Sequence, residues 1–165
     1  MLETTQSIFF TKAAQWAHKP RFMIQENGQW KPILWSEYRE QVELVACALN
    51  SLGIKPGNKV GILSQNSLEW IYAGLGITTA QAVLVPIDHS SSPDMAGYIV
   101  NHADLQLLFV QNVTIFDLLI SAGSKFPLLK YVVVIESDGK ENRNGLKFFN
   151  LDDLYHLGEN HRDSH

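Results

Sequence analysis

Residues 60–87 read VGILSQNSLEWIYAGLGITTAQAVLVPI, and this stretch decides the fold. Residues 60–63 form a short apolar run. After a turn, Leu68, Trp70, Ile71, Tyr72, Leu75 and Ile77 cover nearly the whole circumference of a helix that runs to about Thr79. Near Ala82 the composition changes to β-branched, so residues 82–85 read as a second buried strand. A membrane span competes for this stretch, because Glu69 is the only charge between residues 68 and 87 and about 20 apolar residues suffice to cross a bilayer. Gly74, Gly76, Thr78, Thr79, Gln81 and Pro86 interrupt it, which favours helix followed by strand. A helix apolar on all sides must be covered on more than one side, and this one asks for more covering than a short chain readily supplies.

The alternation extends in both directions. Upstream, Tyr38, Val42, Val45, Leu49 and Leu52 recur at helical steps, with Ser36 placed to cap the helix and Gly53 to close it in a left-handed conformation. Residues 21–25 and 29–35 flank Asn27-Gly28, a hairpin turn signal, and residues 7–17 carry a short amphipathic pattern. Asn66 with Glu69 has the form of a capping box for the helix at 68–79. Downstream, Ser92-Pro93-Asp94 starts a helix that ends near His102. Strands at 107–110 and 131–135 flank a helix at 113–122. A polar loop at 137–144, a strand at 146–149 and a helical turn at 150–157 follow. Strands separated by helices imply crossover connections. The expected fold class is therefore α/β, a mainly parallel sheet with flanking helices. Residues 1–157 form the domain, and residues 158–165, with nothing to bury, are expected to be a disordered tail.

Composition narrows the function. The chain has 165 residues, 45% of them hydrophobic, enough for one core. Its 13 Lys and Arg against 17 Asp and Glu give a net charge of −4 with no basic block, which argues against a nucleic-acid partner. The single cysteine, Cys47, lies in a helical pattern and reads as a small buried hydrophobe, so no disulfide forms within the chain and a reducing cytoplasm suits it. The opening MLETTQSIFF has no cationic and apolar leader, and no transmembrane segment is expected.

Candidate sites meet simpler explanations. Phosphate chemistry needs backbone amides from a glycine-rich turn at a helix start. Ser121-Ala122-Gly123-Ser124-Lys125 instead follows a helix and reads as its cap. His156, His161 and His165 fall at or beyond the last ordered turn without cysteines or paired carboxylates to complete a metal shell. Asp88-His89 has the makings of an acid and base pair but lacks a nucleophile and reads as a surface loop. Asp152-Asp153 complements a helix amino terminus, and the four tryptophans read as core anchors. Neither a catalytic, a cofactor-binding nor a metal residue is assigned.

Four segments taken together carry more. Trp35-Ser36-Glu37-Tyr38, the run from Leu52 to Val60 (LGIKPGNKV), Asn66-Ser67-Leu68-Glu69-Trp70 and Ala82-Val83-Leu84-Val85-Pro86-Ile87 fall in order at close spacing. Over about residues 9–153 the chain resembles the amino-terminal region of the adenylate-forming (AMP-binding) superfamily. Pro86-Ile87 followed by Ser90-Ser91-Ser92-Pro93 and by YIVNHA at 98–103 is most similar to the long-chain fatty acyl-CoA ligase (acyl-CoA synthetase) branch. The resemblance implies the first subdomain of the ligase fold. It also implies, for a complete enzyme, that ATP and magnesium activate a carboxylate as an acyl-adenylate and that coenzyme A then takes the acyl group. The family signature is a Ser/Thr/Gly-rich loop ending in Pro-Lys-Gly, a later aromatic-Gly-x-Thr-Glu segment, a ribose-binding Asp and a carboxy-terminal Lys. None of these matches a position here.

The chain is thus expected to be an amino-terminal fragment of an acyl-CoA ligase, truncated or split, inactive alone, and paired with the missing remainder of the ligase. An alternative is a non-catalytic interaction module of the same fold that associates with a full-length relative through a sheet edge. A small self-contained enzyme of flavodoxin-like topology is a third class, weakened by the absence of a site constellation.

Overall fold

The computed structural model describes residues 4–136 and 145–163. The polar loop expected at 137–144 and the end of the tail, including His165, lie outside them. Helix α1 (Thr5–Gln15) leads into a hairpin of β1 (Pro20–Glu26) and β2 (Gln29–Leu34). Asn27 and Gly28 both take positive φ, 51° and 77°, as the sequence required. Then follow α2 (Trp35–Ser51), β3 (Lys59–Leu63), α3 (Leu68–Thr79), β4 (Val83–Ile87), α4 (Pro93–His102), β5 (Leu107–Val110), α5 (Val113–Ser121), β6 (Tyr131–Val134), β7 (Lys147–Asn150) and α6 (Leu151–Asp163).

The five strands β4-β3-β5-β6-β7 form one parallel sheet in that order. Helices α2, α3 and α6 cover one face through Val45, Leu49, Ile77 and Leu154, and α4 and α5 cover the other through Ala96, Val100, Phe116 and Leu119. Every residue of β5 is buried, as expected of a central strand covered on both faces. At the β4 edge, Val83 N–H donates to Asn58 O, so Leu84 and Pro86 are the residues whose backbone faces outward. Proline has no N–H to offer there, which blunts this edge.

Helix α3 has no exposed residue among Leu68–Thr79. This chain supplies part of its covering: the sheet lies on one side, α2 on another, and Tyr72 and Leu75 join the aromatic cluster of α1 and the hairpin, while Leu68, Trp70, Ile71 and Leu75 stay half-buried. Close approach is possible because Gly76 lies against α2. A methyl there would come within 2.5 Å of Val45 Cγ1.

The structure corrects several expectations. Helix α2 begins one residue before Ser36, and its amino terminus is closed by the Glu37 carboxylate accepting the Leu34 N–H at 2.6 Å. Ser67, not Asn66, caps α3, its hydroxyl accepting the Trp70 N–H at 3.1 Å. The expected disordered tail is helix as far as Asp163. Asn150 and Asp153 cap α6 reciprocally, and Leu151, Leu154, Tyr155 and Gly158 make the stripe that packs on the core. Gly158 reads in sequence as a helix end, yet it is the point of closest approach to α2, where a methyl would run into the Leu44 carbonyl. Arg162 reaches Glu40 at 3.8 Å, tying the last turn to α2. The tryptophans are not buried anchors either: Trp30 is 66% exposed, and Trp16, Trp35 and Trp70 are half-buried. Cys47 is likewise half-buried.

Gly158→Ala tests the α2–α6 contact. The added methyl must push two backbones apart, so stability should fall by about 2 kcal/mol, read as a lower urea midpoint, despite alanine's better helix propensity. An unchanged midpoint would mean that α6 does not pack here.

Candidate functional site

In an open parallel sheet the crevice lies where the chain reverses its order, at the carboxyl ends of the strands. Here β3 connects to β4 on one side, and the chain then returns past β3 to β5 on the other. The reversal therefore falls between β3 and β5, and the residues following those strands are the first place to look for chemistry.

Four polar side chains and the backbone of Gln65 meet near that edge. Gln65 N–H donates to Gln111 Oε1 at 3.2 Å, and Gln111 Nε2 donates to Glu136 Oε1 at 2.7 Å. Asn112 Nδ2 donates to Glu136 Oε2 at 3.3 Å, while Asn112 Oδ1 accepts the Ile115 N–H and so caps α5. Buried Ser64 donates to the Gln65 carbonyl. The network stitches the loops after β3, β5 and β6 together. Glu136 accepts from both carboxamides and so clamps the two loops together.

Beyond β4, Asp88 Oδ1 accepts both the N–H and the hydroxyl of Ser90 at 2.8 Å, and these bonds hold its carboxyl below the usual range. His89 Nδ1 lies 3.6 Å from the same oxygen, and both side chains are at least half exposed. This is a turn built around a carboxylate, the bland reading of Asp88-His89.

A second recess opens beyond β6 and β7. It is a cavity of about 310 Å³ lined by Gln41, Glu69, Tyr72, Asn150, Asp152 and Tyr155 among others. Burial, with help from the Glu69 carboxylate, pushes the Tyr72 phenol up to about 12 and raises that of Tyr155 as well. Both phenols are neutral at ordinary pH and offer hydrogen bonds, not nucleophiles.

The other candidates resolve in the same direction. Gly123 N–H donates to Ile120 O and Ser124 N–H to Leu119 O, so the amides of this turn close α5 and are not available to a phosphate. Ser124 also packs against Gly97 of α4. His156 Nδ1 lies 3.0 Å from Glu159 Oε2. Among the described residues no three His, Cys, Asp or Glu converge. No helix among them is long and apolar enough to cross a membrane. The loop-spanning network at Glu136 escaped the sequence reading, since its members are 25 and 46 residues apart and carry no local pattern.

Comparison with known proteins places this scaffold. The family model described as AMP-binding enzyme matches residues 9–154. The chain is 30% identical over 135 residues to long chain acyl-CoA synthetase 1 of Arabidopsis thaliana, covering 77% of this chain and 20% of that protein. It is 31% identical over 144 residues to long-chain-fatty-acid–CoA ligase 1 of Homo sapiens, covering 80% and 21%. Among solved structures, coronafacic acid ligase of Pectobacterium brasiliense superposes with a TM-score of 0.78 at 18% identity, covering 93% of this chain and 29% of that one. The chain spans about a fifth of the length of the curated relatives it matches.

The phenols give a pH test. A folded pKa raised above the ordinary value of 10 for Tyr72 means that its contribution to stability is whole below pH 10 and is lost as pH rises toward about 12. Alkaline unfolding followed by circular dichroism should therefore move to higher pH in Tyr72→Phe. An unshifted transition would show that the phenol is solvated.

Proposed function

Because the chain belongs to the AMP-binding enzyme family, we propose that it is the amino-terminal part of an ATP-dependent ligase converting fatty acids to acyl-CoA. The observation that carries this reading is the match over residues 9–154 together with long-chain acyl-CoA ligase relatives, of which this chain covers about a fifth. In the complete enzyme the fatty carboxylate attacks ATP to give acyl-adenylate and pyrophosphate, and the coenzyme A thiol then displaces AMP. ATP, magnesium and coenzyme A belong to that complete enzyme. Residues 1–165 contribute a scaffold and, in this reading, hold no catalytic, nucleotide or metal residue.

Two features support inactivity of this chain by itself. The sequence contains no Ser/Thr/Gly-rich loop ending in Pro-Lys-Gly. The amides of its best glycine turn are already bonded within α5. Triphosphate recognition rests on aligned amides, cations and a metal, and without them the transition state is not stabilised. The partner in this reading is the remainder of the ligase. Pairing with a full-length relative through a sheet edge is disfavoured at β4, where Pro86 offers no outward N–H. A cytoplasmic setting fits the lone, half-buried Cys47.

With ATP, magnesium, a long-chain fatty acid and coenzyme A, the pure chain should release pyrophosphate at background rate, and calorimetry should show no saturable ATP binding at micromolar concentration. Fatty-acid-dependent release that chelation abolishes would overturn the scaffold reading. Coding sequence downstream of His165 that specifies the phosphate loop is the expected genetic counterpart.

A further inference from the structure

We propose that the recess beyond β6 and β7 is a binding site for an alkylammonium or alkylguanidinium cation. Gln41 of α2, Glu69 and Tyr72 of α3, Asn150 of β7, and Asp152 and Tyr155 of α6 line it, so it forms only where three helices converge. Tyr72 is the informative member. It keeps 8% of its surface exposed and its ring lies 5.7 Å from that of Tyr38, yet its hydroxyl has no hydrogen-bond partner among the described residues. Buried phenols usually find one. Since Tyr72 lines the cavity, that is where its partner belongs. Glu69, half-buried on the same helix, has no ion-pair partner among the described residues either. A carboxylate drawn partly out of water is costly without a counter-charge.

The lining itself selects a cation. Glu69 and Asp152 border the cavity, and among the described residues no Lys, Arg or His does. Burial and then the Glu69 carboxylate raise both phenols above their ordinary range, Asp152 adds to the effect on Tyr155, and no cation offsets it. A simpler account has the two carboxylates only complementing the amino termini of α3 and α6, since each sits in a first turn. A helix end carries about half a positive charge, so two ends still leave about one negative charge in the recess. That account also leaves the Tyr72 hydroxyl without a partner. An alkyl cation meets both demands: its N–H groups donate to carboxylate and phenol oxygens, while its stem lies against Ile135 and Leu151. A bare metal ion fits less well, because no three carboxylate, imidazole or thiol groups converge among the described residues. The volume of about 310 Å³ is at the small end for a ligand cavity and suits a stem of a few carbons.

The same chemistry serves a free amine and the side chain of a Lys or Arg carried by another polypeptide segment, so the test includes both sources. The full chain is titrated with agmatine, with N-acetyl-arginine methylamide and with neutral butylurea, and backbone amide NMR shifts are followed. Both cations should give saturable shifts confined to the neighbourhood of residues 69–72 and 150–155, and butylurea should not. Tighter binding of agmatine assigns the site to a free amine, and tighter binding of the capped arginine assigns it to a protein side chain. Glu69→Gln should weaken cation binding about tenfold, and Tyr155→Phe about fivefold, with circular dichroism unchanged in each. Tyr155→Phe removes one oxygen and no charge, so it keeps the site testable should Glu69→Gln loosen α3. Absence of saturable shifts, shifts centred elsewhere, equal binding of butylurea, or undiminished binding by both folded variants would overturn the proposal. None of these readouts involves ligase activity, so the proposal stands or fails separately from the proposed function.

Discussion

The packing of α2 between α3 and α6 is the contact on which one whole layer of this protein depends. Val42, Val45, Ala48 and Leu49 are fully buried. The neighbouring helices come close because each presents a glycine to α2: Gly76 of α3 against Val45, and Gly158 of α6 against the Leu44 carbonyl. Dispersion and apolar burial both rise steeply as helices approach, so removing two side chains from the contacts yields more packing than they would have supplied. The same helix carries the amino-terminal elements. Tyr38 near its start touches Phe9, Phe22 and Tyr72 at 4.9, 5.1 and 5.7 Å, so α1 and the hairpin are fastened to the sheet domain through α2.

That arrangement closes the centre of the core from within the chain. Helix α3, apolar nearly all round, is buried through Tyr72, Ala73, Gly74, Gly76 and Ile77 by elements of this same chain and half-buried elsewhere. A segment spanning about a fifth of its relatives therefore buries the inner strands β3, β5 and β6 on both faces, while the edge strand β4 stays half-exposed, with Val83 47% exposed. At the carboxyl edge the polar groups are similarly satisfied from within. Glu136 accepts from Gln111 and Asn112, and Asp88 accepts twice from Ser90. Groups so engaged hold the loops in place.

The surface is less uniform than the interior. An acidic body carries a cationic, aromatic-rich end, and the hairpin there leaves a tryptophan and a methionine uncovered.

Much of the fold was legible in the chain itself, because periodicity reports which side of an element is buried. The stripe of Tyr38, Val42, Val45 and Leu49, the positive φ of Gly53, and Ser92-Pro93-Asp94 at the start of α4 each follow from local sterics or hydrogen bonding. Four strands alternating with helices required a parallel sheet, although the one expected as buried at 82–85 is the half-exposed edge strand β4, because no strand lies beyond it among the described residues. Cap positions shifted by a residue, from Asn66 to Ser67 for example, since either side chain can serve and backbone geometry chooses. Tertiary structure alone decided the strand order, the meeting of Gln65, Gln111 and Glu136, and the exposure of Trp30. It also decided the fate of Gly158, which reads as a helix end but is retained in α6 because α2 passes close beside it. These depend on groups distant in sequence arriving at one place, and local propensity carries no information about which neighbour will be there.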